Sequence, residues 1–281
     1  MKLIADRKIS MLSFDLDGTL LNSNSEISNL TLDRIQEAMK KGVRVTLATG
    51  RVPPMLEVYA DILGIDGPYV SANGALIVHH KSKNILYEKR ISVPQLMEIC
   101  SFLNRHGPHY SLQTGTVLYY TNENPRIHML DKYNEIARRN GRAASKFAYL
   151  KGEEALLPAE AVYKLIIQPQ TEALSGILKE YLEGSRYFDY TYSMAGLFEV
   201  TAKGTDKGAG ISKVAQYYHI PMKEVCVFGD YDNDISAFRK AGVSIAMGNA
   251  CDSLKEIAAY HTASNDENGI AKAIDAIWKC L

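Results

Sequence analysis

Short apolar runs alternate along this chain with stretches in which apolar residues recur every three or four positions. Residues 9–14 form the first run, which stops at Asp15. Leu32, Ile35 and Met39 then repeat at helical spacing behind Ser28-Asn29-Leu30-Thr31, and Gly42 stands where a helix C′ residue belongs. Residues 43–48 predict a second strand ending at Thr49, residues 52–63 another helix, and Tyr69-Val70-Ser71 a strand that runs into Asn73-Gly74. The alternation resumes near the C-terminus. Thr205-Asp206 predicts an N-cap ahead of the stripe Ile211, Val214, Ala215 and Tyr218. Residues 224–228 predict a buried strand stopping at Gly229-Asp230, 234–240 a short helix, and 243–247 a strand reaching Gly248-Asn249, with helices from Asp252 and Gly269 closing the chain. This order predicts βαβ units: an α/β core built on a doubly wound, Rossmann-like parallel sheet.

Between Ile91 and about Leu197 the pattern changes to strand pairs with helices between them, which predicts an antiparallel α+β module inserted into the core. The expected domains are 1–88 (first part of the core), 89–197 (inserted module) and 198–281 (second part of the core). In an open parallel sheet, ligands bind outside the carboxyl ends of the strands. The predicted core strands end there in Asp15, Thr49, Asn73, Asp230 and Asn249, polar residues suited to a site rather than to a core.

Composition narrows the class. The 281 residues are 46% hydrophobic and 23% charged, which excludes a disordered or collagenous chain. Lys+Arg and Asp+Glu are 32 each, so no net field favours nucleic acid or an anionic membrane. No apolar run reaches the roughly 18 residues of a membrane helix. Cys100, Cys226, Cys251 and Cys280 are widely spaced, and the seven histidines show no metal spacing, so neither a disulfide framework nor structural zinc is expected. A cytoplasmic protein, monomeric or homodimeric, is the expectation. Arg138, Arg139, Arg142 and Lys146 form a basic stretch read as a solvated face.

The strongest chemical signal is Asp15-Leu16-Asp17-Gly18-Thr19. Residues two apart on an extended chain point the same way, so Asp15 and Asp17 share a side while Leu16 faces inward. Two carboxylates that close repel, and a hard divalent cation relieves the repulsion. Gly229-Asp230-Tyr231-Asp232-Asn233-Asp234 is a second acidic loop just past a strand, with the oxygen donors Mg²⁺ prefers. It lacks the glycine and distal glutamate of an EF-hand. Thr49-Gly50-Arg51 offers a hydroxyl and backbone N–H groups between a strand and a helix. Lys207 falls in the first turn of a predicted helix, where a cation opposes the dipole unless an anion is near. Together these parts suit phosphoryl transfer, in which catalysis is mostly positioning and charge stabilisation.

On these motifs the sequence resembles the haloacid dehalogenase-like phosphatases, and among them the Cof-type sugar-phosphate phosphatases, over essentially the whole chain. Asp15-Leu16-Asp17-Gly18-Thr19 matches the first family motif, Thr49 the second, Lys207 the third, and Gly229-Asp230 with Asn233-Asp234 the fourth. Ser71-Ala72-Asn73-Gly74-Ala75 and Ala246-Met247-Gly248-Asn249-Ala250 look like further signatures. The resemblance implies Asp15 as nucleophile and Mg²⁺ ligand, with Asp17 as general acid/base that also offers its backbone carbonyl to the metal. Asp230 becomes the third protein contact of Mg²⁺, with Asp234 in support. Thr49, Gly50, Arg51, Asn73, Lys207 and Asn233 become the phosphate and substrate contacts, and the inserted module becomes a cap that closes over the site. The family's ion-pumping relatives carry threonine where Asp17 stands, so hydrolysis through an aspartyl-phosphate is implied. Tyr231-Asp232 departs from the commoner residues there and bears on substrate preference. The implied substrates are small phosphorylated metabolites, sugar phosphates or phosphorylated cofactors. The alternatives are a phosphomutase or phosphotransferase on the same core, and a non-catalytic phosphate-binding regulatory module.

Overall fold

A computed structural model describes residues 8–121, 126–150, 161–194 and 196–278. Cys280 and the side chain of His128 lie outside the described residues. The chain divides into two compact units: Met1–Gly50 with Tyr59–Leu86 and Asp206–Leu281, and Arg51–Val58 with Tyr87–Thr205. The limits expected at 88/89 and 197/198 therefore differ, and residues 51–58 group with the second unit.

The first unit opens with β1 (Met11–Phe14), buried at all four positions. Helix α1 (Asn29–Lys40) follows, its N-terminus capped by Ser28, whose hydroxyl accepts from the Thr31 N–H. Next comes β2 (Arg44–Leu47). The helix expected over 52–63 is instead a 3₁₀ turn at Pro53–Met55 followed by α2 (Glu57–Leu63). Pro53 and Pro54 lack N–H donors, so no regular helix runs through them. Strand β3 (Pro68–Ser71) bridges Ala48 through Val70 in parallel, then turns into β4 (Leu76–His79) and β5 (Ile85–Glu88). The last two strands went unread in the sequence.

The second unit holds α3 (Val93–His106), β6 (His109–Gln113), β7 (Val117–Tyr120), α4 (Arg126–Arg139), β8 (Lys146–Tyr149), β9 (Lys164–Gln168), α5 (Glu172–Glu183), β10 (Phe188–Met194) and β11 (Leu197–Ala202). Its sheet runs β10-β11-β9-β6-β7-β8, antiparallel except for β7–β8. Strand β11 lies inside this sheet, so the module extends past residue 197. Leu96, Ile99 and Leu103 of α3 and Leu178 and Leu182 of α5 share one apolar cluster with sheet residues. The basic stretch is largely paired: Arg138 with Asp131, Arg139 with Glu135 and Arg142 with Glu57.

The chain then completes the first unit with α6 (Lys207–Tyr217), β12 (Val225–Gly229), α7 (Ile235–Lys240), β13 (Val243–Ala246), α8 (Asp252–Ile257), β14 (Tyr260–His261) and α9 (Gly269–Trp278). The parallel sheet has the order β14-β13-β12-β1-β2. Phe14 lies opposite Phe228, with ring centroids 5.0 Å apart. This register brings the ends of β1 and β12, distant in sequence, side by side. Asp275 of α9 accepts from Arg34 Nε of α1 at 2.6 Å. Among the described residues, no helix is long and apolar enough to cross a membrane.

Candidate active site

Asp15 is the residue after β1, and its N–H donates to the Phe228 carbonyl at 3.2 Å, continuing the ladder one step past the sheet. Its side chain is buried and receives Lys207 Nζ at 2.8 Å. Lys207 also reaches Asp234 Oδ1 at 2.8 Å, with no side-chain exposure of its own. Asp206 caps α6 through the Ala209 N–H, so Lys207 is the first helical residue. The unfavourable dipole at that place is answered by two carboxylates.

Asp234 is a hub. Its Oδ1 takes the lysine, and its Oδ2 accepts the N–H groups of Asp230 at 3.1 Å and Tyr231 at 3.4 Å. The acidic loop is thereby folded around one of its own side chains. A Cβ on Gly229 would lie 2.5 Å from Asp234 Oδ2, so only glycine admits this packing. Asp230 accepts from the Thr19 hydroxyl at 2.7 Å. Gly18, at φ +74°, permits the approach: a Cβ there would fall 2.3 Å from Asp230 Oδ2. One carboxylate oxygen from each of Asp15, Asp230 and Asp234 lies within 4.8 Å of the others.

The electrostatics follow from this crowding. Burial pushes the Asp15 carboxyl well above its ordinary range; Lys207 pulls it down, while Asp234 and Asp230 add to the rise. Burial and then Asp234 raise Asp230 to about 7, against which the Thr19 hydroxyl works. Burial alone would lower Lys207, but Asp15 and Asp234 more than offset it and hold the ammonium above its ordinary value. Were all three carboxyls ionised, one ammonium would leave two negative charges uncompensated, which is why Asp15 and Asp230 are pushed up. Three oxygen donors and a charge deficit of two fit a divalent cation such as Mg²⁺.

The other expected residues fall as follows. Asp17 is exposed, and its backbone bridges Leu21. Thr49 is buried at the end of β2; its N–H donates to the Val70 carbonyl and its carbonyl accepts from the Asn73 N–H. The Thr49 N–H is thus committed to the backbone. Asn73 is buried in the left-handed region at φ 54°. Asn233 is buried too, and its Oδ1 has no hydrogen-bond partner among the described residues. Asp232 turns away and accepts from Ser253 Oγ at 2.6 Å. Arg51 belongs to the second unit, its guanidinium 3.7 Å from the Tyr133 ring centroid and bonded to the Met55 carbonyl. Two supporting contacts escaped sequence reasoning: Thr19 on Asp230, and Asn249 Nδ2 donating to the Gly18 carbonyl at 2.8 Å. Thr19 was visible as the last residue of its motif, and Asn249 as a strand exit.

Acidic side chains and a buried lysine at the carboxyl edge of an open parallel sheet define an α/β enzyme of phosphoryl chemistry. A family match spans residues 12–274, and the chain belongs to the haloacid dehalogenase-like hydrolases. It is a phosphoric monoester hydrolase of that family. A 5-amino-6-(5-phospho-D-ribitylamino)uracil phosphatase of Bacillus subtilis, YitU, is 28% identical over 281 residues, covering 95% of this chain and 97% of its own. Among solved structures, a haloacid dehalogenase-like hydrolase from B. subtilis superposes with TM-score 0.84 at 26% identity, covering 95% of this chain and 99% of that one. The subclass IIB sugar phosphatase BT4131 superposes with TM-score 0.81 at 26% identity, covering 97% and 100%.

Proposed function

We propose that this hydrolase cleaves the phosphomonoesters of small metabolites, with Mg²⁺, through an aspartyl-phosphate on Asp15. The observation that carries the reading is the trio of carboxylate oxygens within 4.8 Å, two of the three carboxyls bridged by Lys207. Asp15, Asp230 and Asp234 are the residues to hold the ion. When bound, it supplies charge neutralisation to the non-bridging oxygens of the transferring phosphoryl group.

The protein's own groups do the rest. An Asp15 carboxylate oxygen attacks phosphorus, and the ester P–O bond breaks. The Asp17 carboxyl gives its proton to the departing alkoxide oxygen. That carboxylate then takes a proton from water as the water oxygen attacks the same phosphorus, releasing inorganic phosphate and restoring Asp15. Asp17 is exposed, so its carboxyl exchanges protons with water directly. Lys207 holds Asp15 in place and, with the Thr49 hydroxyl, Gly50 and the Asn233 amide, steadies phosphoryl oxygens. Arg51 and Asn73 complete the proposed substrate contacts. The names of YitU and BT4131, a phosphoribityl uracil phosphatase and a sugar phosphatase, support a small phosphorylated metabolite as substrate.

The test is phosphate release from a panel of phosphorylated metabolites with Mg²⁺, then with a chelator, then with Mg²⁺ restored. Release that stops with chelator and returns with Mg²⁺ is expected. Mass spectrometry of the quenched Asp17→Asn protein should find a phosphoryl adduct on the Asp15 peptide. Chelator-insensitive turnover, or an adduct elsewhere, contradicts the reading.

A further inference from the structure

Strands β2 and β3 meet at a bridge between Ala48 and Val70, backed by the Thr46 hydroxyl, which donates to the Pro68 carbonyl at 2.9 Å. Nearer their starts no ladder joins the two strands among the described residues, and a cavity of about 300 Å³ opens there. All of its lining residues belong to the first unit. It lies at the amino edge of the parallel sheet, whereas Asp15 and Asp230 follow β1 and β12 at the carboxyl edge. Its volume stands at the lower end of the range that small-molecule sites occupy.

Met39, Val43 and Ile65 give the cavity an apolar wall, and Arg44, Asp66 and Tyr218 bring its polar groups. The Arg44 guanidinium carbon lies 4.9 Å from the Tyr218 ring centroid. The ring is itself fixed in place: a Cβ on Gly67 would fall 1.6 Å from the Tyr218 hydroxyl, so only glycine admits the tyrosine. Burial and then Asp66 push the phenol up to about 12, against which Arg44 works, so the hydroxyl keeps its proton at neutral pH. Arg44 and Asp66 are both exposed. Among the described residues neither side chain has a hydrogen bond or an ion pair, to the other or to a third group. By contrast Lys8 and Glu224, which precede β1 and β12 at the same edge of the sheet, pair at 2.9 Å. Opposite charges that face one small cavity and do not close on each other leave room for a molecule that answers both.

We propose that this cavity binds a free α-amino acid with an aliphatic side chain. The ligand's carboxylate meets the guanidinium fork of Arg44 and the Tyr218 hydroxyl, both donors. Its ammonium meets the Asp66 carboxylate. Gly42, which also lines the cavity, follows the carboxyl end of α1, where the helix dipole adds partial negative charge beside that ammonium. The aliphatic side chain leaves water against Met39, Val43 and Ile65. A simple anion leaves Asp66 unanswered and a simple cation leaves Arg44 unanswered, so the pair of charges selects a zwitterion. The assignment concerns a second site and stands apart from the phosphatase reading.

The experiment is isothermal titration calorimetry of the full chain with leucine, isoleucine and valine. Three analogues of leucine serve as controls: isocaproate, which lacks the ammonium, isoamylamine, which lacks the carboxylate, and glycine, which lacks the side chain. At least one of the three aliphatic amino acids is expected to bind saturably with a Kd of about 1 mM or tighter, and each analogue roughly tenfold or more weakly. Arg44→Gln and Asp66→Asn should each weaken that binding roughly tenfold or more. Both variants should keep the wild-type melting temperature, because neither side chain holds a hydrogen-bond or ion-pair partner in the fold. No saturable heat with any of the three amino acids overturns the assignment. So does isocaproate or isoamylamine binding as tightly as leucine, which marks a site for one charge, or unchanged affinity in both variants, which places the ligand elsewhere.

Discussion

Two groups of buried charge occupy the two units of this chain, and they are built on opposite terms. In the parallel-sheet unit, Asp15, Asp230 and Asp234 face a single lysine. In the α+β unit, Lys164 Nζ meets Glu199 Oε1 at 2.9 Å. The first set gathers more carboxyls than cations, so ionising all of them together is unfavourable without a further cation. The second pairs one charge of each sign, both buried. The two groups thus differ in charge balance, and that difference can be tested in each unit separately. Each prediction below sets one group against the other.

The largest effect is expected at Asp15. Asp15→Asn keeps the shape, removes the nucleophile and should lower phosphate release at least about 10⁴-fold. It also removes one of the uncompensated charges, so its metal-free stability in urea should equal or exceed wild type. Near-normal turnover ends the assigned role of Asp15, and a large loss of stability ends the account of a charge surplus.

Lys207 comes next. Lys207→Met strips the ammonium from the two buried carboxylates it bridges and should cost about 3–5 kcal/mol in the metal-free protein. Adding Mg²⁺ should return part of that loss, because the ion takes up the same carboxylates. Urea denaturation with and without Mg²⁺ reads both terms. A variant as stable as wild type without metal would mean that the lysine does not offset the carboxylates.

The balance between what was legible in the sequence and what was not also divides the two units. Asp15, Thr49, Asn73, Asp230 and Asn249 were legible as the polar residues just past strands, because period-two and period-3.6 patterns locate strand ends well. The hub role of Asp234 was not legible: reach across a tight turn to its own loop's N–H groups depends on φ and ψ, and the letters permit a ligand as readily. In the α+β unit, Lys164 and Glu199 were invisible. A lysine beginning a strand and a glutamate within Leu197–Ala202 read as surface residues until cross-strand register sets them diagonal to each other. Residues 51–58 likewise looked like core helix, because nothing local tells that Val52 and Met55 pack with Leu118 and Leu130.

A smaller effect separates the groups by pH. Asp230 has its carboxyl raised from 3.8 to about 7, and Asp15 moves in the same direction. A carboxyl raised on folding adds stability that is fully present below the unfolded value and is lost as pH climbs through the folded one. The metal-free site therefore loses stability between about pH 4 and 7, where these groups ionise against one another. Mg²⁺ binds the ionised form, so the rise in melting temperature on adding it should be several degrees larger at pH 8 than at pH 5. Equal Mg²⁺ shifts at both values would contradict the direction assigned to Asp230.

The last contrast, whose readout is a double variant within about 1 kcal/mol of wild type, is the sharpest. Lys164→Met alone leaves Glu199 buried without its cation and should cost about 3–5 kcal/mol, while Lys164→Met with Glu199→Leu removes both charges and should return stability to within about 1 kcal/mol of wild type. No such rescue is available in the other unit. Removing Lys207 and Asp234 together still leaves Asp15 and Asp230, and it frees the Asp230 and Tyr231 N–H groups that Asp234 Oδ2 accepts. That double change should remain destabilising in urea even though one charge of each sign has gone. If instead the Lys164–Glu199 double variant stays as unstable as its single parent, the balance drawn between the two units fails at that point.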